Sequence, residues 1–489
     1  MNYEYLYALI LLGLAGFIAL AAGIKTDNKK ILGGFAFIVL IAAFFIILFQ
    51  QKNYSIASLN ISSFDTYWAL IFLVSIMVVI IPSMNDIKKR FDVYYAILLF
   101  MALSMVIAAF TYNLIVLFVS FEGVSIATYI LTAFNKTKRN LEASLKYFMI
   151  STVGTSFNIM GISFFYLSTK TFNLNAVGII SFNRALLLSL VFITIGFGFK
   201  IAIFPMQQWA IDAYDGAPNS VSAFLSTGGK LIAYMILLKF LFLGFIPDYN
   251  YVFFFFAILA ILTMTYGNLA ALMENNLKRI LAYSSVAQAG YMILVFALIG
   301  YSYYPAVLVS KEIFVRFAIA SAMFYAIAYI FMKAGPFIAM SLVKKDKVMI
   351  DDIAGLARAS RWTARFFAIM HLSLAGVPLT GGFIAKYFLF FSLIIGNLWW
   401  LAVIAIINSA ISMYYYFRII IYTYRKEGEN NFNMDPGIKY SVIIMGLITL
   451  GLGVSFALYT YRLAVPPAFY IYTFDLLFPQ YKCVYVPDS

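Results

Sequence analysis

The chain of 489 residues has one cysteine, Cys483, and one histidine, His371, and only 11% of its residues are charged. Thiolate-held iron–sulfur clusters, zinc sites and paired haem ligands each need several such side chains, so no cofactor is expected in this chain and it moves no electrons by itself. No phosphate-binding glycine loop, nucleophile–base pair or metal-ligand cluster stands in the sequence. Scarce charge together with 64% hydrophobic residues excludes an ordinary soluble domain, in which about 25% of residues are charged and about 45–50% apolar. Acids are scarcer than bases, and the formal net charge is +14. Such a surplus often marks a nucleic-acid partner, but here the basic residues lie in short loops between apolar runs, the pattern of membrane topology. No nucleic-acid role is expected.

What is present is a series of apolar runs of about 18 residues or more, each long enough to cross a hydrocarbon core of about 30 Å as a helix. Barrel strands would be shorter and would alternate. The expectation is an all-α polytopic membrane protein with spans near residues 5–24, 31–50, 66–83, 92–110, 113–134, 142–167, 185–210, 220–245, 251–272, 279–300, 312–343, 362–396, 398–424 and 438–461, fourteen in all. The first follows MNYEYL, which has no basic n-region, and is expected to remain uncleaved. Odd-numbered loops hold Lys25, Lys29, Lys30, Lys88, Lys89, Arg90, Lys136, Lys138, Arg139, Lys278, Arg279, Lys344, Lys345, Lys347, Arg358, Arg361, Arg365, Arg425, Lys426 and Lys439; even loops and the tail hold only Lys52, Lys170, Arg184, Arg462 and Lys482. The positive-inside rule then puts odd loops in the cytoplasm and both termini outside. The tail after Tyr461, with Pro466 and Pro467, is expected at the interface.

The remaining basic residues fall inside spans: Lys146, Lys200, Lys230, Lys239, Lys311, Arg316, Lys333, Lys386 and Arg418. A charge at the centre of a spanning helix costs about 2.5–3.5 kcal/mol even on the lenient insertion scale, so such a residue needs a partner, water or a function. The stretch from Phe199 to Lys230 concentrates them. Lys200 is followed by Pro205, where the helix is predicted to break; Asp212, Asp215, Gly216 and Pro218 are predicted to form a polar turn, and a second apolar helix carries Lys230. The twelfth span repeats these features, with Pro378, Gly381 and Gly382 in mid-run and then Lys386. Two interrupted helices in separate halves point to a transporter built from inverted repeats; the plainer alternative is two unrelated proline kinks.

Glu122 stands alone in LIVLFVSFEGVSIATYIL, and a carboxylate there must be protonated, paired or solvated. Lys200 and Lys146 are its candidate partners, and a static salt bridge is the bland alternative. Lys146, four residues after Glu142, either acts in transfer or snorkels. Lys230 and Lys386 are too deep to snorkel easily; Lys333, beside Pro336, is deep as well. Lys239, Lys311, Arg316 and Arg418 read as interface anchors or helix contacts. His371 is either a proton relay or a packing residue. An acid moving toward or away from a desolvated amine switches it between holding and releasing a proton, and Ser226, Thr227, Ser284 and Ser285 are candidates to line a hydrated relay between such groups.

These residues carry a resemblance. FEGVSIATYIL, LEASLKYF, FKIAIFP through DAYDGAPNSVSAFLS to Lys230, NNLKRILAYSSVAQAGY and LAGVPLTGGFIAKYFLF are similar to the antiporter-like membrane subunits of respiratory complex I, and LEASLKYF favours the N-type. The likeness covers roughly residues 90–420. It implies N-terminal helices 1–3 (1–91), a five-helix repeat of helices 4–8 (92–245), an inverted second repeat of helices 9–13 (251–426), and helix 14 with the tail (438–489), with helices 7 and 12 broken. It implies that Glu122 pairs with Lys200 and that Lys230 and Lys386 continue a mid-plane proton path; from their own positions, Lys146 is read into the relay and Lys333 and His371 are candidate further members.

Family members usually carry histidine where Gln207 and Gln288 stand here; neither glutamine titrates, so a proton step at those points passes through water or another group, with His371 and Lys333 as candidates. Glu274 replaces a more usual glutamine and is expected to pair with cytoplasmic charge at Lys278 or Arg279. The function implied is proton translocation in a complex I-like quinone oxidoreductase of a prokaryotic plasma membrane, with iron–sulfur clusters and quinone in partner subunits. The alternatives are an Mrp-type sodium/proton antiporter subunit and a structural anchor that pumps nothing.

Overall fold

In the computed structural model, residues 4–50, 54–56, 59–176, 183–244, 249–301, 311–343, 345–425 and 432–463 are described. The expectations for Cys483 and the tail beyond residue 463, together with those for Lys52, Lys344, Lys426 and the Lys311 side chain, lie outside the described residues or atoms.

The protein is an all-helical polytopic membrane protein. Its helices are α1 (Glu4–Ala22), α2 (Lys29–Phe49), α3 (Ser63–Asp86), α4 (Phe91–Phe110), α5 (Leu114–Thr132), α6 (Lys138–Thr169), α7 (Arg184–Ile201), α8 (Gln208–Gly216), α9 (Asn219–Ser226), α10 (Gly228–Lys239), α11 (Tyr249–Leu272), α12 (Leu277–Tyr301), α13 (Lys311–Ala339), α14 (Leu356–Ala359), α15 (Arg361–Ala375), α16 (Gly381–Ile395), α17 (Trp399–Tyr424) and α18 (Pro436–Leu463). A short antiparallel pair, β1 (Tyr54–Ile56) with β2 (Leu59–Ile61), links α2 to α3. Among the described residues, twelve helical stretches are long and apolar enough to span a membrane, and Leu6–Ala22 and Gly381–Ile395 are shorter apolar helices.

Polar side chains mark where the helices start. Asn28, Ser62, Asn113, Thr137, Asn183 and Thr380 accept backbone N–H bonds at the N-termini of α2, α3, α5, α6, α7 and α16, filling donors that a membrane interior cannot satisfy with water.

The expected breaks occur with shifts that have physical causes. The seventh span ends at Ile201, because Ala202 turns left-handed at φ 65° three residues before Pro205. Asp212, Asp215 and Gly216 then lie on the helix α8 and form no turn. QWAIDAYDG buries Trp209, Ala210, Ile211, Ala213 and Tyr214, so its apolar face packs inward and the two aspartates stay at the rim. The twelfth span is likewise split, with Gly376 at φ 91° closing α15 and Leu379 at φ 65° beside Pro378. A positive φ disfavours every residue but glycine, so Ala202 and Leu379 are held there by their surroundings. The eleventh span runs unbroken through Pro336. The eighth, expected to be continuous, is interrupted at Thr227 (φ −117°, ψ −96°) between α9 and α10.

Candidate functional site

The first amine, Lys200, occupies the last turn of α7 and is buried. The C-terminal end of a helix carries partial negative charge and suits a cation. Its Nζ donates to Tyr147 Oη, to Thr128 Oγ1 at 3.2 Å and to Ser125 Oγ at 3.3 Å, and lies over the Tyr147 ring at 4.8 Å and the Tyr129 ring at 5.5 Å. Glu122, Ser125 and Tyr129 share one stripe of α5 by their spacing of three and four residues. Trp209 of α8 stacks on Tyr147 at 4.3 Å and donates to the Phe199 carbonyl at 2.8 Å, so the re-entrant helix after the break fixes the tyrosine that holds the ammonium.

The implied Glu122–Lys200 ion pair is not formed. Glu122, half-buried, accepts from Thr155 Oγ1 at 2.9 Å, while the ammonium is turned to hydroxyls. Two hydroxyls and a phenol on one side satisfy Lys200 without requiring the acid to approach. Lys146 also stands apart: its side chain is 50% exposed, bound to Glu142 at 2.8 Å and 3.9 Å from Asp212. Its neighbour Tyr147 points inward instead, since adjacent helical residues diverge by about 100°.

Lys230, in the first turn of α10, donates to the Ser285 carbonyl at 3.0 Å, with the Tyr214 ring 5.8 Å away. Lys333 donates to Ser284 Oγ at 2.7 Å. Ser284 is hydrogen-bonded to Tyr416, and Ser285 Oγ lies 2.8 Å from Tyr329 Oη. Gln288, one turn along α12, donates from Nε2 to Tyr416 Oη at 3.4 Å and to the Leu374 carbonyl at 3.1 Å, and accepts from Tyr325 Oη. Lys386 donates to the same Leu374 carbonyl at 2.9 Å, to Ala375 O at 3.1 Å and to Ser409 Oγ at 2.9 Å. Lys386 therefore sits on α16 but caps the C-terminal carbonyls of α15, which places its ammonium at the first half of its broken helix, as Lys200 is at α7.

Ser284 and Ser285 thus lie against Lys333 and Lys230, whereas Ser226 and Thr227 close local bonds to the Ala223 carbonyl at 3.0 and 2.7 Å. His371 is buried, with Nδ1 2.8 Å from Phe367 O and Nε2 without a partner among the described residues; its ring lies 6.1 Å from that of Tyr416. Gln207 is buried with Oε1 likewise unpartnered. Glu274 pairs with Arg279 at 3.1 Å. Arg418 donates to the Glu274 carbonyl, and Arg316 is buried.

The sequence reading missed two things. Tyr147 holds Lys200, Tyr325 and Tyr329 bond Gln288 and Ser285, and Tyr416 bridges Ser284 to Gln288; the repeated aromatic residues beside lysines were the available signal. Of its two readings, Lys239 is a helix contact and no interface anchor, and the partner left unread is Asp65 of α3, in a fully buried ion pair at 2.9 Å.

A polytopic helical bundle with breaks in three of its spans and a row of enclosed amines has the architecture of an antiporter-like membrane protein. Residues 111–412 match the family described as NADH:quinone oxidoreductase/Mrp antiporter, transmembrane, and the chain belongs to it. It is 33% identical over 487 residues to F(420)H(2) dehydrogenase subunit N of Methanosarcina mazei, covering 92% of this chain and 95% of that one. It is 32% identical over 456 residues to NADH-quinone oxidoreductase subunit N of Moorella thermoacetica, covering 90% and 87%. Among solved structures it resembles a chain of respiratory complex I from Thermus thermophilus, with a TM-score of 0.79, 27% identity and coverage of 91% and 96%.

Proposed function

We propose that this chain is the N-type, proton-translocating subunit of a complex I-like oxidoreductase in a prokaryotic plasma membrane. Of fourteen spans, with both termini outside, ten form two inverted five-helix repeats over 92–245 and 251–426. Iron–sulfur clusters and quinone belong to partner subunits, and electron transfer there drives this chain. The observation that carries the reading is the hydrogen-bonded series Lys333–Ser284–Tyr416–Gln288–Leu374 O–Lys386, with Lys230 beside it on Ser285. Enclosed amines with no acid in contact are costly; the Ser284 and Tyr416 hydroxyls supply donors and acceptors for proton hops beside Lys333, and water carries the step past Gln288 to Lys386, where amide and ammonium both donate to the Leu374 carbonyl.

Lys146, at the half-exposed rim with Asp212, admits protons. The separation of Glu122 from Lys200 is the resting half of a switch. When the acid leaves Thr155 and reaches Lys200, it stabilises the ammonium; when it withdraws, a proton is passed toward Lys230, Lys333 and Lys386. His371 is a side branch at Tyr416.

Changing Lys200 to alanine in the assembled complex is expected to cut proton translocation per electron, measured in membrane vesicles, by the whole contribution of this subunit; an unchanged ratio refutes the reading. Tyr416→Phe removes one hydroxyl from the series and is expected to slow translocation about a hundredfold, the low end of the range for a positioned proton donor, with folding unchanged. Lys146→Ala breaks only an exposed pair, so stability is expected to change by less than about 1 kcal/mol and pumping to fall less than for Lys200.

The Mrp antiporter reading shares the same family description, and relatives named subunit N favour the oxidoreductase. Reconstitution separates them: sodium-driven proton flux by the purified chain alone supports the antiporter, and inactivity with copurifying iron–sulfur subunits supports the oxidoreductase.

A further inference from the structure

The couple of Asp65 and Lys239 is absorbed by none of the steps above. The two side chains are 0% and 1% exposed. Lys239 follows Lys230 by nine residues on α10, two and a half turns and about 14 Å, so it leaves the helix on the opposite side, toward α3 and α4. Its Nζ also donates to the carbonyls of Ala109 and Thr111 and lies over the Tyr112 ring at 4.2 Å.

Asp65 is bonded on both oxygens. Tyr112 Oη donates to Oδ1 at 2.8 Å, and Ser62 Oγ donates to Oδ2 at 2.6 Å. Ser62 is only half-buried and stands outside the first turn of α3. At the same end of α3, the Gln50 amide, Thr66 Oγ1 and Trp68 Nε1 are buried without hydrogen-bond partners among the described residues. Buried polar groups left open by protein are ordinarily met by ordered water. The opposite end of α3 is also tied to the interrupted helix, where Asp86 Oδ2 accepts from Ser220 N at 2.7 Å. On the topology proposed above, the Asp65 end is the one that faces away from the cytoplasmic loops.

From this arrangement, and resting on the function proposed above, we propose that Asp65, Tyr112 and Ser62, with Lys239 as fixed counter-ion, form the outward proton-release site of the first repeat. A proton reaching Tyr112 through water displaces the phenolic proton onto Oδ1. The carboxyl then turns to carry that proton to Ser62 Oγ, whose hydroxyl gives its own proton to external water as it accepts the new one. One proton enters and one leaves, the ion pair is restored, and no bond between heavy atoms changes.

Two variants in the assembled complex test this. Y112F keeps the ion pair and the packing while removing the hydroxyl. D65N/K239M removes both charges together, which avoids the unpaired buried charge that either single change would leave. Both are expected to assemble and to show the lowered proton-to-electron ratio of K230M, with electron transfer retained. A normal ratio in either variant, or a D65N/K239M chain that fails to assemble while Y112F pumps normally, assigns the couple to structure and overturns the inference. K230M in the same vesicles separates the two ideas. If it pumps normally, the function proposed for the whole chain fails; if it alone is impaired, only the release site does.

Discussion

Lys230→Met is expected to abolish proton translocation through this chain, by at least tenfold, while leaving the fold as stable as before or more so. The ammonium has one carbonyl at 3.0 Å and an aromatic ring for company, and among the described residues no acid forms an ion pair with it. Methionine has a similar length, fills irregular space and carries no desolvation cost. Loss of function without loss of stability separates a group retained for transfer from one retained for packing. The measurement is the proton-to-electron ratio in vesicles alongside thermal inactivation of the purified complex. A ratio equal to that of the parent protein, with Lys230 gone, removes the amine row as the pathway.

Gly290→Val is expected to act in the opposite sense, disrupting assembly without touching a titratable group. The helices α11 and α12 approach so closely that a Cβ at Gly290 would lie 2.5 Å from Met264 N and 2.8 Å from Met264 Cα, and one at Gly267 would lie 2.5 Å from Ala287 N. These are backbone atoms, so no side-chain rotation relieves the clash, and small residues are what permit such approach between membrane helices. Overpacking of this kind costs about 3 kcal/mol or more. Because α12 also presents Ser284, Ser285 and Gln288, displacing it separates the hydroxyls from the amines. Expected results are a marked drop in chain recovered in the membrane and a lower inactivation temperature. Normal recovery of Gly290→Val refutes the close packing of this helix pair.

The bundle and its two broken spans were legible because their signals are local. Apolar runs give the spans, and Pro205, Pro378 and the Gly381–Gly382 pair give the breaks. Thr227 precedes a similar pair, Gly228–Gly229, but no proline, and the span reads as continuous. A Cβ on the next residue, Gly228, would come 2.3 Å from Ser75 Oγ of α3, so the interruption there is set by a neighbour remote in sequence. The same reason hid Asp65: position near a helix end makes Lys239 look like an anchor, and only the fold brings α3 against it. Lys200, Lys230, Lys333 and Lys386 were legible by depth alone. Lys146 was not, because its helix turns Tyr147 inward and the lysine out, and the motif that holds both does not say which side faces the core.

Gln288 sets how charge can be stored. Its amide joins Tyr325, Tyr416 and the Leu374 carbonyl, yet it has no protonation state to offer near neutral pH. On the proposed pathway, charge crossing that junction finds no resting place and travels from one amine to the next in a single event, so that the two flanks of the junction are either loaded or empty.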